Sequence, residues 1–315
     1  MNRSFQVSVL VLTYNSDWDL LKSTLLSIIN QKEVEIEVIV SDDGSVDNCF
    51  EQCKELFVKY HFDSYSLVPS TENQGTVLNL QKGLKCCHGE YIKPISPGDF
   101  IYSETTLSHW YSEMKKVGAD VSFGNYISYA SDNNETKCWV GERPFDKKVY
   151  RNKNKRGIKY RYLLMDDLYV GATTLVRREV LENYNNIIAN KVKYTDDCIY
   201  RIIISDDIMT FFHDTYVIWY NKGTGISTSG NSKWKGIIDD EFIGVSKIIA
   251  ERLRKKRISW FNLRYMLYLY LRKYKHGSKY LLFPSLLRQR NKKYESKEQG
   301  NFDSSLLDRL LREGA

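Results

Sequence analysis

Val7-Ser8-Val9-Leu10-Val11-Leu12-Thr13-Tyr14-Asn15 is a β-branched apolar run that breaks abruptly into polar residues. It reads as a buried strand with a functional tip. Asp17 to Asn30 then places Trp18, Leu21, Leu25, Ile28 and Ile29 at helical spacing behind a capping Asp17. A second Val/Ile strand, Ile36 to Val40, stops at Ser41-Asp42-Asp43-Gly44-Ser45. Strand, helix and strand at this spacing form a βαβ unit, and such units imply a parallel sheet.

The alternation continues. Val46 to Tyr60 reads as helix, Tyr65 to Val68 as strand, Gly75 to Cys87 as helix, and Tyr91 to Ile95 as strand ending in Ser96-Pro97-Gly98-Asp99. Ser103 to Val117 is helical again. In open sheets of this type, ligands bind beyond the carboxyl ends of the strands where strand order reverses. Thr13-Tyr14-Asn15, Asp42-Asp43 and Asp99 therefore converge on one rim. After Asp120 the pattern changes. Val121 to Ser128, Tyr169 to Val176 and Tyr216 to Tyr220 read as strands, Cys198 to Ile204 as a helix behind Asp196-Asp197, and Ser131 to Tyr160 as a long polar loop or lid. From Ile237 onward the chain reads as helical and basic, with an amphipathic end at Ser304 to Arg312. Three regions result: 1–120, 121–235 and a helical basic extension at 236–315.

The 315 residues are 42% hydrophobic, which excludes global disorder. The charge is uneven. Residues 251 to 293 carry 14 Lys/Arg and one acid, a local +13 against a whole-chain +7, so the rest is at −6. That asymmetry excludes a wholly basic nucleic-acid binder. The six cysteines form no CxxC pair and fit free thiols in a reducing compartment. Val7 to Leu12 is too short for a signal-peptide core, and Ile258 to Leu271, interrupted by Asn262 and Arg264, is too short and polar to span a bilayer. The expected location is the cytoplasm, with attachment to the cytoplasmic face of the plasma membrane.

Each polar cluster has two readings. Asp42-Asp43 suits a nucleobase edge and a ribose hydroxyl, or simply a solvated Asp-Gly turn. Tyr14 offers a flat face to a base, or is an ordinary strand-end tyrosine. Asp99 can bind Mg²⁺ or Mn²⁺ beside a diphosphate, or hold the Pro-Gly turn. Asp196-Asp197 can supply a general base with one raised pKa, or a helix cap and first-turn acid. Asp206-Asp207 is a competing pair at the far end of that helix. Gly223 to Thr228 can cradle phosphate but is no P-loop, and no Gly-x-Gly-x-x-Gly follows the first strand.

In combination and in this order, these motifs resemble family 2 glycosyltransferases of GT-A fold over about residues 5 to 230. Val7 to Asn15 resembles the family's first strand, and Ser27-Ile28-Ile29-Asn30-Gln31 a helix end. Val40-Ser41-Asp42-Asp43-Gly44-Ser45-Val46-Asp47 resembles its "v-D-D-g-S-x-D" segment, Asn73-Gln74-Gly75 its "N-x-G", and Gly89-Glu90-Tyr91-Ile92 its "G-e-Y-I". The resemblance implies a Rossmann-like, mostly parallel α/β sheet and an inverting transfer from a nucleotide-sugar, expected to be UDP-linked. The acceptor would be a glycan or lipid-diphosphate-linked hydroxyl in surface-polysaccharide assembly. Thr13, Tyr14, Asn15, Asp42, Asp43 and Gly75 would hold the donor, with Asp43 on the uracil edge. Asp197 would be the base, with Asp196 in place of the family's glutamate, and Asp99 the metal ligand for Mg²⁺ or Mn²⁺. One departure stands out: the family's paired acid near Asp99 is missing, and His213 is a third-ligand candidate only by its place in the chain. That gap motivates a rival, a nucleotide-sugar-binding partner without catalysis. A sugar nucleotidyltransferase would need a glycine- and arginine-rich loop where Asn15-Ser16-Asp17-Trp18 stands. The basic, aromatic C-terminal stretch suits an anionic membrane surface or packing on the catalytic domain. Nothing in the chain reads as a nucleic-acid module.

Overall fold

The computed structural model describes residues 4–132, 135–222, 232–256, 259–271, 277–289 and 302–314. Nine strands form one sheet: β1 (Val7–Thr13), β2 (Ile36–Asp42), β3 (Tyr65–Val68), β4 (Tyr91–Ile95), β5 (Phe100–Ile101), β6 (Val121–Asp132), β7 (Glu135–Val140), β8 (Thr174–Arg177) and β9 (Thr210–Asn221). The order is β3-β2-β1-β4-β8-β6-β9-β5, with β7 hairpinned onto β6. β1, β2, β3, β4, β6 and β9 run one way, and β5, β7 and β8 run against them. The expected mostly parallel α/β sheet is present.

Strand alternation sorts the core into two layers. Val7, Val9, Val11, Val38 and Val40 face a layer built by the helices Trp18–Ile29, Phe50–Lys59 and Thr106–Val117. Leu10, Ile39 and Ile92 face the opposite layer, built by Thr76–Leu84, Arg178–Ile188, Cys198–Ser205 and Ser232–Arg254. Asp17 caps the first helix as expected, accepting the Asp19 and Leu20 N–H groups at 2.9 and 3.1 Å. The second helix begins at Phe50 rather than Val46. The Asp47 and Asn48 side chains take the Cys49 and Phe50 N–H groups in turns, and Cys49 has a φ of 55°.

One expectation changes. Ser131 to Tyr160 is not a structureless lid. It holds β7, short helices at Lys148–Arg151 and Lys155–Lys159, and leads into a π-helical turn at Tyr160–Leu164. β7 pairs antiparallel with β6, a partnership that local polarity conceals. The amphipathic C-terminal end packs on the body, one of the two arrangements the sequence allows for the C-terminal region. Leu307 and Leu310 of the last helix, Ser305–Gly314, are fully buried in the first layer, and the Ser23 hydroxyl donates to the Leu310 carbonyl at 2.8 Å. All six cysteines are free thiols. Among the described residues no helix is long and apolar enough to cross a membrane.

Candidate functional site

β1 lies between β2 and β4, so strand order reverses there, and a cleft of about 770 Å³ opens at the carboxyl ends of these strands. Tyr14, Asn15, Asp99, Asp196, Asp197 and Tyr220 all line it. Tyr14 is 51% exposed, a ring face open to the cleft. Asn15 takes a left-handed φ of 45°, and its N–H donates to Ser45 Oγ at 2.6 Å.

Thr13, Asp42, Asp43 and Gly75 stand behind that wall rather than on it. Asp42 holds the turn: its carboxylate accepts the Ser45 N–H at 2.8 Å, the Ser45 hydroxyl at 2.6 Å and the Thr13 hydroxyl at 3.0 Å. Asp43 is equally buried, and its two oxygens accept the Gln74 and Gly75 N–H groups at 2.9 and 2.8 Å. It thereby ties the strand tip to the N-terminus of Thr76–Leu84. Gly75 has a φ of +95°, and a Cβ there would sit 2.5 Å from the Lys193 carbonyl oxygen, so the donor-side loop leans directly on the segment leading to Asp196.

Asp99 is buried at the far wall. Its Oδ1 accepts the Asn221 N–H at 2.9 Å, leaving Oδ2 as the oxygen it can offer. Burial pushes its carboxyl up to about 7, against the pull of the Asn221 bond and of Lys93. Lys93 is the residue that sequence reasoning passed over, a lone lysine inside an apolar strand. It is fully buried, donates to the Ala172 carbonyl at 2.7 Å, and is pushed down to about 7 by burial, with Asp99 opposing. Among the described residues no group of three acids, histidines or cysteines can hold a metal. One available carboxylate oxygen still matches how Mg²⁺ is held, with phosphates and water completing the shell. The donor set fits an ion that arrives with a diphosphate, not a standing site. His213 is no part of it. It stacks on Trp110 and bonds to Glu113, and it pairs with Gly124 where Asn221 pairs with Tyr129, five residues further along β6 and so about 17 Å away at strand rise.

Asp196 and Asp197 lead into Cys198–Ser205. Asp197 faces the open cleft and Asp196 is half-buried beside it, yet protein rings both. Desolvation raises both carboxyls, and the Asp197 charge raises Asp196 further. Backbone N–H groups oppose that rise at both acids, the Gly171 N–H at Asp197 and the Asp196 and Asp197 N–H groups at Asp196. The contact is close: a Cβ on Gly171 would lie 1.7 Å from Asp197 Oδ1.

The loop that presents this pair is gripped by Glu241, from the helix Ser232–Arg254. Its carboxylate accepts the N–H groups of Lys193, Tyr194 and Thr195 at 2.7, 3.0 and 2.9 Å and the Thr195 hydroxyl at 2.7 Å. A single glutamate in a polar helix gave no warning of this. The rival pair is occupied elsewhere. Burial would raise the Asp206 carboxyl, but bonds from Arg252, Lys256 and Tyr184 hold it low, and Asp207 pairs with Lys159 at 2.7 Å. The glycine-rich Gly223 to Thr228 lies outside the described residues.

The family model for glycosyl transferase family 2 matches residues 8–185. Glycosyltransferase GlyG of Streptococcus pneumoniae is 32% identical over 130 residues, covering 41% of this chain and 42% of that protein. The dTDP-rhamnosyl transferase RfbG of Shigella flexneri is 27% identical over 192 residues, covering 60% and 61%. For glycosyltransferase GlyA, also of S. pneumoniae, the match spans only 20% of its length. In fold the chain is similar to S. aureus TarS in complex with UDP-GlcNAc, with a TM-score of 0.58 at 17% identity over 90% of this chain and 77% of that one. It is also similar to the mannosyltransferase PcManGT from Pyrobaculum calidifontis in complex with GDP-Man and Mn²⁺, at 0.57 and 16% over 91% and 76%. The match over 8–185 spans more than half of the chain, and with it the chain belongs to glycosyl transferase family 2.

Proposed function

We propose that the chain is an inverting glycosyltransferase that moves a sugar from a nucleotide-diphosphate donor, UDP-linked, to a hydroxyl of a glycan or lipid-linked acceptor in surface-polysaccharide assembly. The observation that carries this reading is one cleft lined by an open aromatic face, Tyr14, a single buried acid, Asp99, and an adjacent carboxyl pair, Asp196-Asp197, with Asp197 facing the opening. Names among the relatives and fold neighbours, a dTDP-rhamnosyl transferase and a UDP-GlcNAc complex, support a nucleotide-diphosphate donor.

Tyr14 takes the base on its face. Asn15 lines the pocket, and from behind its wall Asp43 orders the loop through the Gln74 and Gly75 N–H groups while Thr13 braces Asp42. Asp197, in its ionised form, accepts the acceptor's hydroxyl proton. The acceptor oxygen forms its bond to the anomeric carbon as the bond to the diphosphate breaks, and attack from the opposite face inverts the configuration. A bound Mg²⁺ or Mn²⁺ supplies neutralisation of the charge on the departing diphosphate, and Asp99 is the residue that would hold it. The Lys93 ammonium lies near enough to Asp99 to oppose its protonation.

The test is a panel of nucleotide-sugars with Mn²⁺ and a bacterial glycolipid extract as acceptor, read by nucleoside-diphosphate release and by NMR of the product's anomeric proton. Release with inverted product is expected. A retained anomeric configuration overturns the mechanism. Tight nucleotide-sugar binding without turnover on any donor would favour the non-catalytic partner that the single acid at Asp99 suggests.

A further inference from the structure

A second cavity, of about 920 Å³, lies on the C-terminal side of the molecule and shares no lining residue with the cleft. Five cations line it: Lys155, Arg156, Lys159, Lys256 and Arg264. Two are neutralised, Lys159 by Asp207 at 2.7 Å and Lys256 by Asp206 at 2.8 Å. Lys155, Arg156 and Arg264 are exposed and have no ion pair among the described residues. Their charge faces outward without a counter-ion.

The rim of this cavity is greasy where a soluble surface should be polar. The helix Trp260–Leu271 buries Asn262, Tyr265 and Leu269 against the body. At 100° per residue these three share one side, and Trp260, Leu263 and Leu267 share the other. That outer side is open: Trp260 is 77% exposed, and Leu263 and Leu267 are also exposed. Leu281, 79% exposed, and Leu287 are further exposed apolar side chains on the next two short helices. A helix that is apolar on both sides is buried or meets lipid. This one is 12 residues long, about 18 Å, and cannot cross a hydrocarbon core of about 30 Å.

We propose that this face docks the protein in the plane of an anionic phospholipid leaflet. Trp260, Leu263, Leu267, Leu281 and Leu287 enter the headgroup–acyl boundary, while Lys155, Arg156 and Arg264 at the cavity mouth take lipid phosphates. Charge decides the occupant. A second copy of this chain docked by the same face would set these cations against their own images. An anionic leaflet satisfies both the apolar stripe and the cations at once. The docking needs no assumption about the sugar donor.

The test is sedimentation of the full chain with phosphatidylcholine vesicles and with vesicles containing phosphatidylglycerol. Binding to the anionic vesicles alone, weakened by salt, is expected. Each cation near such a surface contributes roughly a fivefold gain in partition, so R156Q/R264Q should lose about 25-fold. Brominated phosphatidylglycerol should quench tryptophan fluorescence in the parent chain and markedly less in Trp260→Phe. Both substitutions are at exposed positions, and thermal melting should not move. Equal binding to both vesicle types, unchanged partition of R156Q/R264Q, displacement by inorganic phosphate beyond a chloride control of equal ionic strength, or vesicle-free self-association through this face would each overturn the proposal. Nucleoside-diphosphate release in the same samples reports separately on the catalytic reading.

Discussion

Replacing Glu241 by Gln tests how the base is held. The carboxylate serves four donors, the N–H groups of Lys193, Tyr194 and Thr195 and the Thr195 hydroxyl, all between 2.7 and 3.0 Å. Gln keeps one oxygen and turns an NH₂ toward the donors of the other. Two of the four bonds are lost, each of about 1.5 kcal/mol at the low end for a charged acceptor, which suits a loop that water can reach. About 3 kcal/mol of loop order disappears. If all of it is expressed as misplacement of Asp197, kcat falls about 100-fold. Nucleotide affinity should change far less than kcat, because the Glu241 bonds go to Lys193, Tyr194 and Thr195 and reach the donor side only through the Lys193–Gly75 contact. Charge removal adds a signature that simple loosening lacks. Glu241 is one of the like charges that raise Asp196. Without it the shared proton leaves more easily, so the acidic limb of the pH–rate profile moves to lower pH. Steady-state kinetics across pH, with calorimetric nucleotide binding and a melting control, make the measurement. A kcat within threefold of the parent and an unmoved acidic limb would refute the reasoning.

Gly171→Ala would push a methyl group into Asp197, and a displacement of about 1 Å should cost about 100-fold in turnover while nucleotide binding stays intact; equal turnover would remove Asp197 from the chemistry. Leu310→Ala empties a fully buried site between the last helix and Trp18–Ile29 and should destabilise by about 2–5 kcal/mol in chemical denaturation, far more than a free tail would. Asp99 binds its proton more tightly folded than unfolded, so its contribution is fully present at low pH and is lost as pH rises from about 4 to about 7. Asp99→Asn should therefore raise the melting temperature at pH 7.5 while weakening Mn²⁺ activation. In the parent chain, Mn²⁺ activation should fade as pH drops below about 7, where proton and metal compete for one carboxylate.

The nucleotide half was legible because its strands are unmistakable runs of Val and Ile, each stopped by a polar cluster at the same end of the sheet. β1, β2, β3 and β4 lie where the alternation placed them. The sites that escaped are non-local. Asp42 and Asp43 read as ligand contacts, and the structure shows why they can sit together without water: backbone N–H groups from Ser45, Gln74 and Gly75 satisfy them. Glu241 lies 46 residues beyond the loop it grips, with no motif around it. Lys93 did leave a signal, a cation inside Tyr91-Ile92-Lys93-Pro94-Ile95, but its meaning depends on Asp99 and on the Ala172 carbonyl. The supposed lid holds β7 and two short helices because β6 runs on to Asp132, past the point where its hydrophobic pattern fades.

The central claim is that Asp197 is the base of a transfer whose donor is held by other residues. Asp197→Asn changes one oxygen for an amide at the open face of the cleft and leaves Tyr14, Asp43 and Asp99 in place. Nucleoside-diphosphate release from the best donor should drop by at least about 1000-fold, with the donor's dissociation constant unchanged within about threefold. Turnover at the parent rate, with donor binding intact, would contradict the account.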